Sequence, residues 1–428
     1  MALLPDHPQR VELNDEVHAR PPESLVPPLR LTFLALFSDL SMREREWQRV
    51  CELARRCGVS PPPEGTNHFS ADLGPFRLKW ERHSEFTRYK FIVAGAGEDP
   101  FAVPAIAAVP PEWVAALPGE VLVAAHLALV RAPETPLDFE AISGRLFGGN
   151  ALVGAAIGAG AGTALTDFRI HADGYSRLLV HDRGFSPRQA GRMVQRLLEI
   201  DSYRMLALLA LPVARQLAPF LTQREQELAQ ITTALATGHG ADESGLLDRL
   251  TKLEAEIESR EAAHHYRFTA AAAYHDLVRR RIAELHEERI QGLQTFREFT
   301  ERRLAPAMST CRAAAVRLES LSERVARATQ LLSTRVDITR EQQNAAVLES
   351  MDRRAKLQLR LQETVEGLSV AAVTYYVVGL VGYAAKGLKA VGMAVNPDLA
   401  MGVSIPVVAI VVALGVRKIR RMVTRTAG

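Results

Sequence analysis

The heptapeptide Trp80-Glu81-Arg82-His83-Ser84-Glu85-Phe86 sets two carboxylates and an imidazole at alternate positions. Side chains alternate across a strand, so Glu81, His83 and Glu85 are expected on one face, with Trp80, Arg82 and Phe86 on the other. Such a trio could hold a divalent cation, Mg²⁺ or another, or carry out acid/base work. The competing reading is a solvated strand face with cross-strand ion pairs, which bear little energy. His264, His275 and His286 stand eleven residues apart, and eleven steps of 100° return to within about 20° of the starting face of a helix. Their axial gaps of about 16 Å are too long for one metal with ligands at ~2 Å. Paired with histidines of a neighbouring helix they would make pH-sensitive contacts; otherwise they are partly exposed seam residues. The glycine-rich stretch Gly148 to Gly162 has neither the GK[ST] ending of a phosphate loop nor the dinucleotide spacing. It is read as tight strand packing. With no nucleophile elbow, HExxH or CxxC pair, no enzyme is expected, and no cofactor beyond Mg²⁺ or another divalent cation.

These residues need elements to position them. The sequence has 428 residues, 24% charged and 47% hydrophobic, with 52 Lys+Arg against 49 Asp+Glu. A net charge of +3 argues against bulk nucleic-acid binding. Cys51, Cys57 and Cys311 form no framework of regular spacing, which suits a reducing compartment. The first ten residues offer no apolar core for a signal peptide. Uninterrupted apolar sequence concentrates near the C-terminus, in Leu368 to Ala385 and Ala400 to Val416. Both runs lack charges and approach the ~20 residues of a membrane-crossing helix, which predicts a transmembrane hairpin over 368–416. Arg353, Arg354, Lys356 and Arg360 precede it and Arg417 to Arg421 follow, so the positive-inside rule places both termini in the cytoplasm, at the inner (plasma) membrane. Lys386 and Lys389 in the connecting loop weaken that orientation without reversing it. Thr374 and Tyr375, with Ser369, Tyr376 and Tyr383, put more hydroxyls in the first span than an anchor needs. They would line a polar pore in an oligomer or make hydrogen bonds between helices.

Upstream, residues 1–183 read as a mixed α/β, or α+β, cytoplasmic domain. Its proline-rich opening segment should wrap the surface. Leu29 to Phe37, Phe76 to His83, Phe86 to Val93 and Val121 to Val130 have strand character, and a helix starts at Ser41. The Asp173-Gly174 turn marks a hairpin between Thr166 to His171 and Tyr175 to His181. From Ser186-Pro187, a cap followed by an N1 proline, residues 184–304 become helical, with a bend expected at Pro212. Leu246, Leu250, Leu253, Ile257, His264, Phe268, Ala271, His275, Val278, Ile282 and Leu285 form a coiled-coil-like stripe. Pro306 punctuates it, and a second stripe runs from Cys311 to Leu332. Residues 305–367 form a stalk helix without Gly or Pro between Ala307 and Glu366, which must pack on the preceding helix, on copies of itself, or both. A basic cytoplasmic tail, 417–428, closes the chain. The expected fold is thus a mixed domain, long antiparallel helices and a two-helix membrane hairpin.

Five separated motifs resemble one bacterial family: EVHARP (Glu16–Pro21), WERHSEF (Trp80–Phe86), TDFRIHADGYSRLLV (Thr166–Val180), LLEIDSYRMLALLALPVAR (Leu197–Arg215) and TYYVVGLVGY (Thr374–Tyr383). That family, domain of unknown function 3422, implies a membrane-anchored protein and no chemistry. The architecture is also similar to that of CorA-type magnesium channels, pentamers with a Gly-Met-Asn motif after the first span. Here the loop reads Gly392-Met393-Ala394-Val395-Asn396, an interrupted version. The leading expectation is an oligomeric CorA-like divalent-cation channel in which the stalk links the cytoplasmic domain to the spans. The alternative is a non-conducting membrane-anchored scaffold. Either would have the lipid bilayer as a partner, with self-association through stalk and spans, and protein partners but no nucleic acid.

Overall fold

The computed structural model describes residues 7–11, 13–14, 22–237 and 242–426, with side chains described as far as Lys418. The Glu16–Pro21 motif, most of the opening segment and the side chains of the basic tail from Ile419 onward lie outside them. The chain forms two units, residues 1–329 and 330–428.

The first unit is built on one eight-stranded sheet with the order β2-β3-β4-β1-β5-β8-β7-β6. Its strands are β1 (Leu29–Phe37), β2 (His68–Asp72), β3 (Arg77–Arg82), β4 (Phe86–Ala94), β5 (Glu120–Arg131), β6 (Val153–Ile157), β7 (Gly162–Thr166) and β8 (Ser176–Asp182). Every pairing is antiparallel except β5 with β8. The alternation of β3 and β4 sends Leu78, Trp80, Tyr89 and Phe91 to one face, where they pack with Leu34 and Leu36 of β1. Helices α1 (Arg43–Arg56) and α2 (Pro111–Ala115) cover that face with Val50, Leu53 and Trp113. Each such buried side chain contributes roughly 1.5–3 kcal/mol. The Trp113 indole N–H donates to the Arg49 carbonyl at 2.8 Å, so its one polar atom is satisfied. A small helix, α3 (Phe139–Leu146), starts at Asp138, whose carboxylate accepts from the Glu140 and Ala141 amides.

Helix α4 (Pro187–Leu208) begins as its sequence dictates: the Ser186 hydroxyl accepts from the Gln189 amide and Pro187 occupies N1. It buries thirteen residues, among them Leu197, Leu198 and Ile200 but also Glu199, Asp201 and Ser202. The bend expected at Pro212 falls in the turn before it. The helix is interrupted at Leu209, and α5 (Ala210–Thr237) holds Pro212 in its first turn, where a missing amide hydrogen costs nothing. Gly191 of α4 is required by close approach, since a Cβ there would stand 1.6 Å from the Glu23 carbonyl oxygen. The opening segment is thus threaded against the helix, with the Leu25 amide donating to the Pro187 carbonyl at 3.0 Å.

Helix α6 (Glu243–Glu284) buries Leu246, Leu250, Leu253, Ile257, Phe268, Ala271, Val278 and Ile282, as the stripe predicts. His264 and His275 are half-buried on it, while His286 lies past its end with φ +47°, so the three histidines do not share a helix. Pro306 does not punctuate: α7 runs unbroken from Phe296 to Ala390. Within the first unit α7 buries Cys311, Ala314, Leu318, Leu321 and Val325, and Arg317 binds Glu225 of α5 at 2.8 and 3.1 Å. The hairpin expected over Thr166–His171 is shorter than its pattern, because β7 ends at Thr166 and the chain leaves the sheet before β8.

In the second unit no residue of α7 between Ser333 and Val381 is buried. A short loop leads to α8 (Pro397–Thr426). The helices touch at Gly382, where a Cβ would meet the Met401 sulfur at 2.5 Å. Among the described residues three helical stretches are long and apolar enough to cross a membrane: Pro187–Thr237, Phe296–Ala390 and Pro397–Lys418.

Candidate functional site

The β3–β4 hairpin separates the three residues that sequence places together. β3 stops at Arg82, so only Glu81 keeps its strand position while His83 to Glu85 form the turn. Glu85 turns to α6, where its carboxylate accepts from Arg267 at 2.7 and 3.3 Å and from the Tyr266 hydroxyl at 3.3 Å. The His83 ring stacks on Phe86 at 4.4 Å. Among the described residues no three His, Cys, Asp or Glu side chains gather as a metal site.

Glu81 instead sits at the centre of a buried charge layer between the sheet and helix α4. The register places Arg88 opposite Glu81 and Lys90 opposite Lys79, so the four share one face. The Glu81 carboxylate is 1% exposed, with Lys79 Nζ at 3.3 Å, Lys90 Nζ at 3.5 Å and Arg88 Nε at 3.6 Å. Arg88 continues to Glu199 of α4 at 3.4 Å. Glu199 also accepts from Arg281 of α6, whose guanidinium holds Glu284 at 2.9 Å; Arg196 holds Glu284 at 3.0 Å. At the other end, Glu23 binds Arg77 and the Ser70 hydroxyl, both at 2.9 Å. One chain of charges therefore ties the opening segment, the sheet, α4 and α6 together. Burial alone would raise the Glu81 carboxyl, but Lys90, Arg88 and Lys79 outweigh it and hold it well below the usual range.

Lys90 is lowered too, but here burial prevails and favours the neutral form. Burial pushes it down to about 8, with Arg88 and Lys79 adding to the effect and Glu81 opposing it. Because the folded value lies below the ordinary 10.5, the unfolded chain holds this proton more tightly. The destabilising contribution of this group is therefore full below pH 8, and roughly 3 kcal/mol is regained as pH rises to about 10.5. Urea unfolding followed by tryptophan fluorescence reads the first unit, because Trp47, Trp80 and Trp113 all lie in it. The wild-type midpoint should rise between pH 8 and 10 relative to Lys90→Met, and parallel profiles would disprove the assignment.

Lys79, Arg88, Lys90 and Glu199 do not stand out in the sequence as a site. The available signal was ionisable residues at period two inside otherwise apolar strands, and one glutamate within the apolar LLEID segment. Tight strand packing holds for part of the glycine-rich stretch: a Cβ on Gly162 would lie 2.3 Å from the Phe185 ring and one on Gly154 2.5 Å from Leu165, whereas Gly148 and Gly149 stand at positive φ with open space beside them.

The residues of the C-terminal loop have local tasks. Gly392, at φ +95°, ends α7, with its amide bonded to the Lys389 carbonyl and the Met393 amide to the Leu388 carbonyl, both at 3.2 Å. That is a Schellman closure, which favours glycine. Asn396 starts α8: its side-chain oxygen accepts from the Asp398 amide at 3.2 Å ahead of Pro397 at N1. The Thr374 hydroxyl donates to the Val370 carbonyl of its own helix at 2.7 Å. Tyr375 and Tyr376 are exposed and meet edge to face at 5.8 Å.

A family model described as protein of unknown function (DUF3422) matches residues 5–423. No curated protein and no solved structure matches the chain.

Proposed function

The chain belongs to the DUF3422 family, and because that membership assigns no activity we propose, from the residues themselves, that the protein is a membrane-anchored, non-conducting interaction protein. In this reading the end of α7 and helix α8 form a two-span hairpin with both termini in the cytoplasm. The observation that carries it is α8, whose apolar window has a mean hydropathy of 2.5 and no buried residue. An unbroken apolar surface of that size calls for lipid or protein cover. Pro187–Thr237, the third apolar stretch, already spends Leu197, Leu198, Ile200 and Leu221 on cover inside the first unit, which supports two spans and not three.

Self-association belongs to the same reading. Met351, Leu357, Leu361 and Val365 of α7 are exposed by more than half. A helix this long gains stability by packing, and coiled-coil contact with copies of itself would cover them.

The exposed tyrosines favour a second reading, an oligomeric CorA-like channel for Mg²⁺ or another divalent cation. Three features support the anchor over it. Thr374 spends its hydroxyl on its own helix, Asn396 caps α8, and Lys386 and Lys389 would set positive charge beside a pore mouth. Liposomes bearing the purified, oriented oligomer should stay tight to Mg²⁺, Co²⁺ and Ni²⁺. A flux that Asn396→Ala or Thr374→Ala changes would establish the channel instead.

A further inference from the structure

The motif TDFRIHADGY departs from the strand its composition favours, and the departure builds a pocket. β7 ends at Thr166, and Phe168 takes φ +53°, a conformation that strains a non-glycine residue. Its surroundings hold it there. The Thr166 hydroxyl accepts from the Phe168 amide at 3.1 Å, and the Asp167 carboxylate from the Arg169 amide at 3.2 Å. The Phe168 ring stacks on Phe299 at 4.4 Å and carries the Arg204 guanidinium 4.9 Å from its centroid. The kink leaves Asp167 buried and Arg169 exposed.

The cavity beside it, about 330 Å³, is bounded by this segment, α4 and the start of α7. Arg169, Arg204 and Arg303 line it together with Gln294. The one carboxylate there is spent: Asp167 accepts from Asn150 at 2.9 Å and holds His171 Nε2 at 3.0 Å. Arg204 is paired with Asp201, yet its Nε is buried without an acceptor. Among the described residues neither Arg169 nor Arg303 has a carboxylate within ion-pair distance. Three guanidiniums therefore line one small cavity whose own acid is committed elsewhere, next to a strained backbone maintained by several contacts.

We propose that this pocket binds a phosphate group. One guanidinium satisfies the two oxygens of a carboxylate, whereas a tetrahedral phosphate offers acceptors to several separate guanidiniums at once. Gln294 adds a neutral donor, and Leu152, Phe299 and Leu304 give an apolar wall for the carbon part of a phosphate monoester. The same chemistry is available from a soluble ester and from the headgroup of phosphatidic acid.

The full-length protein in detergent would be titrated calorimetrically with inorganic phosphate and with glycerol 3-phosphate at constant ionic strength. In parallel, hydrogen exchange of residues 166–170 would be compared in phosphatidylcholine nanodiscs with and without phosphatidic acid. Saturable binding of the free anions assigns a soluble ligand, and protection by phosphatidic acid alone assigns the lipid. In either case Arg169→Gln/Arg303→Gln, at two exposed positions, should weaken the effect at least tenfold with an unchanged unfolding temperature. Binding undiminished in that variant, or neither a binding heat nor protection in the wild type, would overturn the proposal.

Discussion

Glu81→Gln is expected to lower the stability of the first unit by roughly 3–5 kcal/mol, the loss typical when one partner of a buried ion pair is removed. The carboxylate is 1% exposed and is the shared counter-charge of Lys79, Arg88 and Lys90. Lys79 and Lys90 lie directly opposite each other across β3 and β4, where like charges repel. Without Glu81 they would face each other with only the more distant Glu23 and Glu199 nearby. Adding Lys90→Met to Glu81→Gln removes one of the repelling charges, so the double variant should recover part of the loss. Urea midpoints from tryptophan fluorescence decide it. A Glu81→Gln midpoint within error of the wild type would mean that the layer is not organised around this carboxylate.

Much of what surrounds this site is legible in the sequence because it is local. The cap at Ser186-Pro187, the pairing of β3 with β4 and the buried stripe of α6 follow from residues within a few positions of one another. What sequence does not carry is the identity of the cover. Period two puts Lys79, Glu81, Arg88 and Lys90 on one face, but a solvated face and a buried one have the same pattern until a helix lies on it. That helix brings Glu199 to Arg88 from 111 residues away. The metal-ligand reading of Glu81, His83 and Glu85 depended on strand alternation continuing through the turn, and the chain reverses at His83 first. Pro306 lies inside α7 without interrupting it. A proline near a helix start, or in a helix whose neighbours hold it in place, need not break it. Small residues in a strand imply a close neighbour, which Gly154 and Gly162 have in Leu165 and Phe185.

The largest change expected of any variant is the loss of membrane attachment on removing residues 368–428. Leu368 is 75% exposed, Leu380 67% and Leu414 57%. A charged residue at the centre of such a helix costs ~2.5–3.5 kcal/mol of insertion free energy, and neither Leu368–Ala385 nor Ala400–Val416 contains one. Val411→Arg, placed within α8, should therefore weaken insertion, while the same change at Val347 of α7, in the part proposed to stay in water, should not.

The most direct measurement is alkaline-carbonate extraction of membranes from cells making the full chain or a chain ending at Gly367. The full chain should stay in the pellet and the shortened chain should appear in the soluble fraction, folded by its tryptophan fluorescence. A full chain released by carbonate, or a shortened chain retained like the full one, would contradict the anchor.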